Sequence, residues 1–357
     1  AQRDLGNIAY ENSAEWEKVD PLNIEDWFPP GININISSSD STAVGGLIVL
    51  NDVRGSVAGF IDNADVDVGG TVSVAVQERA SIIATNTSVA SADGGSVFVG
   101  GNSIAVNAVI ATNLILSDAN AYISNSSVTT TNGGDILVDA SNTSTIFALV
   151  DSSTTVEGGG NSIAVGVTLA FNTIGILSQN FLFNSIDALL GTNISNEDPD
   201  QSRAYISNSD VVAAGALSVT TMSNADIDSE IKNAALSTSV TLDSSTSISV
   251  APVISLNRIS TDVAAFIDGA DNLTVSGGDL TVLANSRSDI VSVVTATSVA
   301  ISASLSSSKS VSVGVSISRN DIRNGMQDYI RNAVGAVPVI VSNGNVVVRA
   351  TESADID

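Results

Sequence analysis

Ser103–Asn113 reads SIAVNAVIATN, and the chain repeats that pattern four more times. SIAVGVTLAFN runs from Ser162, SISVAPVISLN from Ser247, SVSVGVSISRN from Ser310, and a fainter STAVGGLIVLN from Ser41. Each copy opens on Ser, carries Val three residues later (Val44, Val106, Val165, Val250, Val313) and closes on Asn ten residues later (Asn51, Asn113, Asn172, Asn257, Asn320). Val and Ile in short alternating runs favour strands, so each copy is expected to be a strand whose Val and Ile fill a core.

A second marker sets the period. An aromatic–Ile pair follows each strand, with its ring at Phe60, Tyr122, Tyr205, Phe266 and Tyr329. The step from opening Ser to ring is identical in four copies: Ser41 to Phe60, Ser103 to Tyr122, Ser247 to Phe266 and Ser310 to Tyr329. It is more than twice as long in the third copy, from Ser162 to Tyr205, which therefore carries an insertion. With that excess set aside, the five Ser positions recur at a nearly constant spacing. Glycine pairs at Gly69, Gly133 and Gly277 precede further alternating strands, and Asn and Gly suit sharp corners because they tolerate positive φ. The expected fold is all-β: a parallel β-helix, or β-solenoid, of about 62-residue repeats, each of about three coils of roughly 20 residues. In such a fold each repeat Asn would occupy an equivalent bend, with its amide satisfied by hydrogen bonds. Asn need not touch Asn.

Composition narrows the function. Of 357 residues 43% are hydrophobic but only 4% aromatic, and 38 acids face 13 bases for a net charge of −25. No Lys or Arg occurs between Arg79 and Arg203, whereas ten acids do. Such a polyanion repels nucleic acid and anionic lipid, so neither is an expected partner. The chain has neither Cys nor His, which removes thiol catalysis, disulfides and the usual general base. Polar residues interrupt every apolar run before it reaches bilayer length, so no membrane insertion is expected. The opening AQRDLG lacks Met, which suits a mature protein after signal-peptide cleavage.

The units AYISNSSVTTTNGGDILVDAS and NSIAVGVTLAFNTI resemble the repeat regions of large bacterial surface proteins, the filamentous-haemagglutinin-like and leukotoxin-family filamentous adhesins. The resemblance covers about residues 41–357 and is one of repeat texture. It implies an exported β-solenoid used as a fibre or stalk.

Residues 1–40 differ in texture and hold both tryptophans, Trp16 and Trp27, and the Pro29–Pro30 pair. Two readings stand: a cap on the solenoid, or an arm contacting a neighbouring subunit through those rings. The solenoid then occupies 41–357, with the insertion at about 177–200, where Phe183, Ile186, Leu189 and Leu190 recur at helical spacing ahead of Gly191. The sequence ends at Asp357, about a coil short of the point at which complete copies pass from their aromatic to the next Ser (60 to 103, 122 to 162, 205 to 247, 266 to 310). That phase suggests that one subunit extends the open end of another, and heterologous contacts of this kind generate filaments.

Candidate chemistry is sparse. Asp226, Asp228 and Glu230 alternate, so a strand would place them on one face, where they could recruit calcium; no cofactor is required. Six Asn-x-Ser/Thr sequons occur, at Asn35, Asn86, Asn125, Asn142, Asn193 and Asn272. The leading expectation is a secreted structural protein, not an enzyme, whose partner is itself and whose place is extracellular or at the cell surface. The alternatives are a stalk segment of a large adhesin and a carbohydrate-active β-helix enzyme, which would need an acid-lined groove.

Overall fold

The computed structural model describes residues 38–96, 100–177, 196–333 and 339–357. Among them every regular element is a strand. Three strands form each repeat. The long first strands are β1 (Ser41–Asp62), β4 (Gly101–Ser124), β7 (Gly160–Ile174) continued by β10 (Asp200–Ser207), β13 (Ser245–Asp268) and β16 (Ser308–Arg331). The short second strands are β2 (Asp65–Val68), β5 (Ser127–Thr130), β11 (Asp210–Ala213), β14 (Leu273–Val275) and β17 (Ile340–Val341). The third strands are β3 (Val72–Gly94), β6 (Ile136–Gly158), β12 (Leu217–Thr241), β15 (Leu280–Ser304) and β18 (Val346–Ile356). Each set pairs in parallel along the axis, giving three sheets.

The register corrects the expected coil. Ser41 pairs with Ser103, Asn51 with Asn113 and Phe60 with Tyr122, so neighbouring rungs are one whole repeat apart. A repeat is therefore one lap, not three coils of about 20 residues. Strands usually run about 5–6 residues, whereas the first and third strands here, other than β7, β10 and β18, run 22 to 25. Polar residues inside those strands look like corners in sequence but leave the strand unbroken.

The true corner lies three residues past each aromatic. Asn63, Asn125, Asn208 and Asn332 have φ of 52°, 49°, 47° and 53°, and the fourth copy uses Gly269 at 75°. These are the residue types that reach left-handed backbone at least cost. The repeat Asn set from Asn51 to Asn320 is not at a bend: Asn113, for example, sits mid-strand in β4 with the strand continuous on either side.

Rung three carries the excess chain. Ile174 pairs with Ile259 of rung four and Asp200 with Thr261. Those partners stand only two positions apart, so nearly all of the chain between Ile174 and Asp200 is inserted. The insertion leaves and returns through a short antiparallel pair, β8 (Ile176–Leu177) with β9 (Asn196–Glu197). The helical expectation for Phe183–Leu190 lies outside the described residues. On the outer side of the first sheet near this root, Leu114, Phe171 and Leu256 are buried.

The first and third sheets face each other, and the short second sheet closes one end. The interior is layered instead of uniformly aliphatic. The largest apolar cluster, around Ile123, Val128, Ile136 and Val211, fills the closed end. A second sets a column of Ile115, Ile174 and Ile259 on the first sheet against one of Ile146, Ile227 and Ile290 on the third. A third gathers Val109, Val150, Ile231 and Val253. Polar seams run between them, so the expected dry aliphatic core is only part of the interior.

The outer and inner faces of the first sheet are inverted in the opening stretch. Ser103, Ala105, Asn107, Val109, Ala111 and Asn113 point inward, and Ile104, Val106 and Ile110 point outward. The Val set therefore does not fill the core: Val44 is 81% exposed. Small inward residues bring the two long sheets close, and the bulky aliphatics stand on the outside.

Candidate functional site: the axial ladders

The mid-strand Asn residues form one continuous ladder. Asn51 Nδ2 donates to Asn113 Oδ1 at 2.7 Å, Asn113 to Asn172 at 2.7 Å, Asn172 to Asn257 at 2.8 Å and Asn257 to Asn320 at 2.9 Å. Asn thus touches Asn directly, because a lap of one repeat places equivalent residues one strand spacing apart, about 4.8 Å. Asn113, Asn172 and Asn257 are at most 1% exposed, and an unmade hydrogen bond there would cost about 1–3 kcal/mol per group. The ladder lies between the second and third apolar clusters.

A ring ladder runs parallel to it on the outside. Phe60, Tyr122, Tyr205, Phe266 and Tyr329 stack with centroids 4.9 to 5.0 Å apart and planes within 13°. Arg331 lies 4.8 Å from the Tyr329 ring centre and pairs with Asp268 at 2.6 Å. Next to the rings, corner carboxylates brace the left-handed Asn of the following rung: Asp62 accepts from Asn125 Nδ2 at 3.1 Å and Asp268 from Asn332 Nδ2 at 2.8 Å. Hydrogen bonds from Ser124 and Asn125 hold the Asp62 carboxyl below its ordinary range, and Arg331 does the same for Asp268.

A second polar seam separates the two largest apolar clusters. Asp200, placed inside by the return of the insertion, accepts from Ser117 N at 2.7 Å, Ser117 Oγ at 2.6 Å, Ser144 Oγ at 2.8 Å and Asn142 Nδ2 at 3.3 Å. Burial pushes its carboxyl up to about 6, and the Ser117 and Ser144 hydrogen bonds limit the rise. On the next two rungs the seam continues with Thr261 donating to Asn324 Oδ1 at 2.9 Å.

Asn233 repairs the sheet. Pro252 lies within central strand β13 and has no N–H for the ladder. Outward residues of this sheet donate to the preceding rung, as Gly175 N does to Ile115 O at 2.9 Å. Pro252 therefore leaves Gly166 O without its donor. Asn233 reaches across the interior and donates to Gly166 O at 2.8 Å and Pro252 O at 3.0 Å. It fits because Gly166 lacks a side chain: a Cβ there would stand 2.6 Å from Asn233 Oδ1.

Asp226, Asp228 and Glu230 do share the outer face of β12. They do not converge: Glu230 pairs with Lys232 at 2.5 Å, and Asp226 lies beside Arg287 and Asp289. Among the described residues no three acidic side chains are grouped to hold a metal, because alternate residues on an extended strand stand about 7 Å apart. Of the sequons, Asn142 and Asn86 face the interior at 0% and 6% exposure; inside the folded coil they are closed to modification. Trp16 and Trp27 lie outside the described residues, as do Asn35 and Asn193. The outer groove of the first sheet is lined by Asn102, Ile104, Asn161, Ile163, Thr246 and Ile248, a set without a carboxylate. Among the described residues no helix is long and apolar enough to cross a membrane.

No protein-family model matches this chain, and comparison with curated proteins and with solved structures found no significant match. Its class rests on geometry: an all-β protein with three parallel sheets of stacked strands, consistent with a parallel β-helix.

Asp200, Asn233 and the corner Asn set escaped the sequence reading. The corner set carried a signal, since FIDN, YISN, YISN, FIDG and YIRN all end on a residue suited to positive φ. Asp200 and Asn233 carried none, because each answers a group distant in sequence.

Proposed function

We propose that this chain is a structural rod element of an extracellular fibre, and that copies stack head to tail. The observation that carries the reading is the polarity of the Asn ladder. Every step donates in one direction, so Asn51 stands at its accepting end and Asn320 at its donating end. Reversing all the amides would leave the same complementarity with the ends exchanged. Stacking Asn320 of one copy on Asn51 of the next continues the ladder, and Tyr329 on Phe60 continues the rings. Such a joint is heterologous and does not close, which yields a filament. A surface rich in acids keeps the rods soluble.

A stalk segment of a large adhesin uses the same ladder within one longer chain, and the texture of the repeat supports it equally. Electron microscopy and small-angle scattering on the purified chain separate the two. Head-to-tail stacking lengthens particles in steps of about 24 Å, five rungs at the strand spacing. Particles that keep the length of one chain at every concentration would sink the polymer reading and leave the stalk.

A further inference from the structure

The opening stretch is polarised the wrong way round for an isolated coil. In rung three the inward residues are Ser162, Ala164, Gly166, Thr168, Ala170 and Asn172, while Ile163, Val165, Val167 and Leu169 face out. The same inversion holds in β1, β4 and β13, and the register carries it to β16, where Val311 and Val313 stack on Ile248 and Val250. The result is an aliphatic outer face along the whole described axis, in which each bulky column repeats from rung to rung.

We propose that this outer face of the first sheet is an interface on which a second copy of the chain packs side by side. Three observations select that occupant. The first is size. Five rungs at about 4.8 Å and the eight residues, at about 3.3 Å each, that lie clear of the buried Phe171–Leu256 column make a face of roughly 630 Å². That is above the roughly 300–600 Å² of the largest apolar patch of a typical monomer and at the low end of the roughly 600–1,000 Å² per partner in a standard stable interface. The second is charge. In a chain of net charge −25, the stretches Thr42–Ile48, Ile104–Ile110, Ile163–Leu169, Ile248–Ile254 and Val311–Ile317 hold no ionisable residue, and Arg319 lies just beyond them on rung five, so two copies meet there without bringing their acids together. The third is period. The partner must be straight, apolar and repeat at the strand spacing, and another copy of this face meets all three conditions. Flat sheets then pack about 10 Å apart, with aliphatic columns interdigitating. The opposite sheet carries Asp151, Glu157 and Lys232 at the same level, so one apolar face per chain gives an isologous pair that closes at two. This contact is lateral and independent of axial stacking.

The chain has no Cys, which makes the test clean. Val165 lies near the centre of the face, where a twofold axis would bring two copies of it together, and Thr145 lies on the opposite sheet as a control. The full chain should scatter with the cross-section of two coils side by side. Val165→Cys should form an interchain disulfide about tenfold faster than Thr145→Cys, since the bond demands close Cα approach. Val165→Lys with Val250→Lys should return the cross-section to one coil while thermal unfolding stays cooperative. A single-coil cross-section for the full chain would overturn the proposal, as would equal cross-linking of the two cysteine variants. Binding of single-width particles to neutral phosphatidylcholine vesicles would overturn it in favour of a lipid surface. Particle length reads the axial joint and cross-section reads the lateral one, so the two proposals fail separately.

Discussion

Two ladders climb this molecule along the same axis, one of amides inside and one of rings outside. The inner ladder is bonded at 2.7 to 2.9 Å with its middle members buried. The outer ladder stacks at 4.9 to 5.0 Å with its rings partly in solvent. Both follow from one rung per repeat, but they carry different risks. A ring removed from the outside leaves a surface that water can wet. An amide removed from the inside leaves its neighbours with polar groups that nothing else satisfies.

The sharpest way to break the comparison is Asn172→Leu. It strands the Asn113 donor and the Asn257 acceptor together, and should cost about 2–6 kcal/mol in denaturant unfolding. A loss below about 1 kcal/mol would show that the inner ladder is no more critical than the outer one.

Asp200→Asn asks whether an inner seam tolerates charge. Because the folded-state carboxyl is raised to about 6, the native chain holds a proton that the unfolded chain has lost between about pH 4 and 6, so its contribution falls as pH rises through that window. Relative to wild type, the Asn variant should gain about 3 kcal/mol between pH 4 and 7. Parallel thermal unfolding curves for the two proteins across that range would refute it.

Asn233→Ala removes the donor that replaces the missing Pro252 N–H, and should cost about 1–3 kcal/mol. Restoring the ladder with Pro252→Ala in the same chain should recover part of the loss, a coupling readable in a double-mutant cycle. Additive effects would show that Asn233 does not stand in for the proline. The smallest change per lost contact is expected from Tyr205→Ala on the outside, about 1–3 kcal/mol spread over two lost ring pairs. A larger effect than Asn172→Leu would reverse the comparison.

The repeat was legible because equivalent residues recur one lap apart and each must meet the same neighbours above and below. Ser, Val, Asn and the aromatic kept their spacing for that reason, and the inserted segment of the third copy stood out against it. The number of coils per repeat was not legible. An Asn or Ser inside a long strand reads in sequence like one at a corner, and only pairing tells them apart. The carboxylate trio was correctly placed on one face, but face alone does not bring side chains to a point.

The amino-acid order by itself determined that this is a five-fold repeated β chain, where its excess segment sits and that its surface is strongly acidic, since these depend on local spacing and composition. The tertiary structure alone decided that one repeat makes one rung, that the Val columns face outward, and that Asp200 and Asn233 lie inside answering Ser117 and Gly166. Those outcomes depend on which residue lies one lap away, and a linear chain does not record that distance until it has closed its turn.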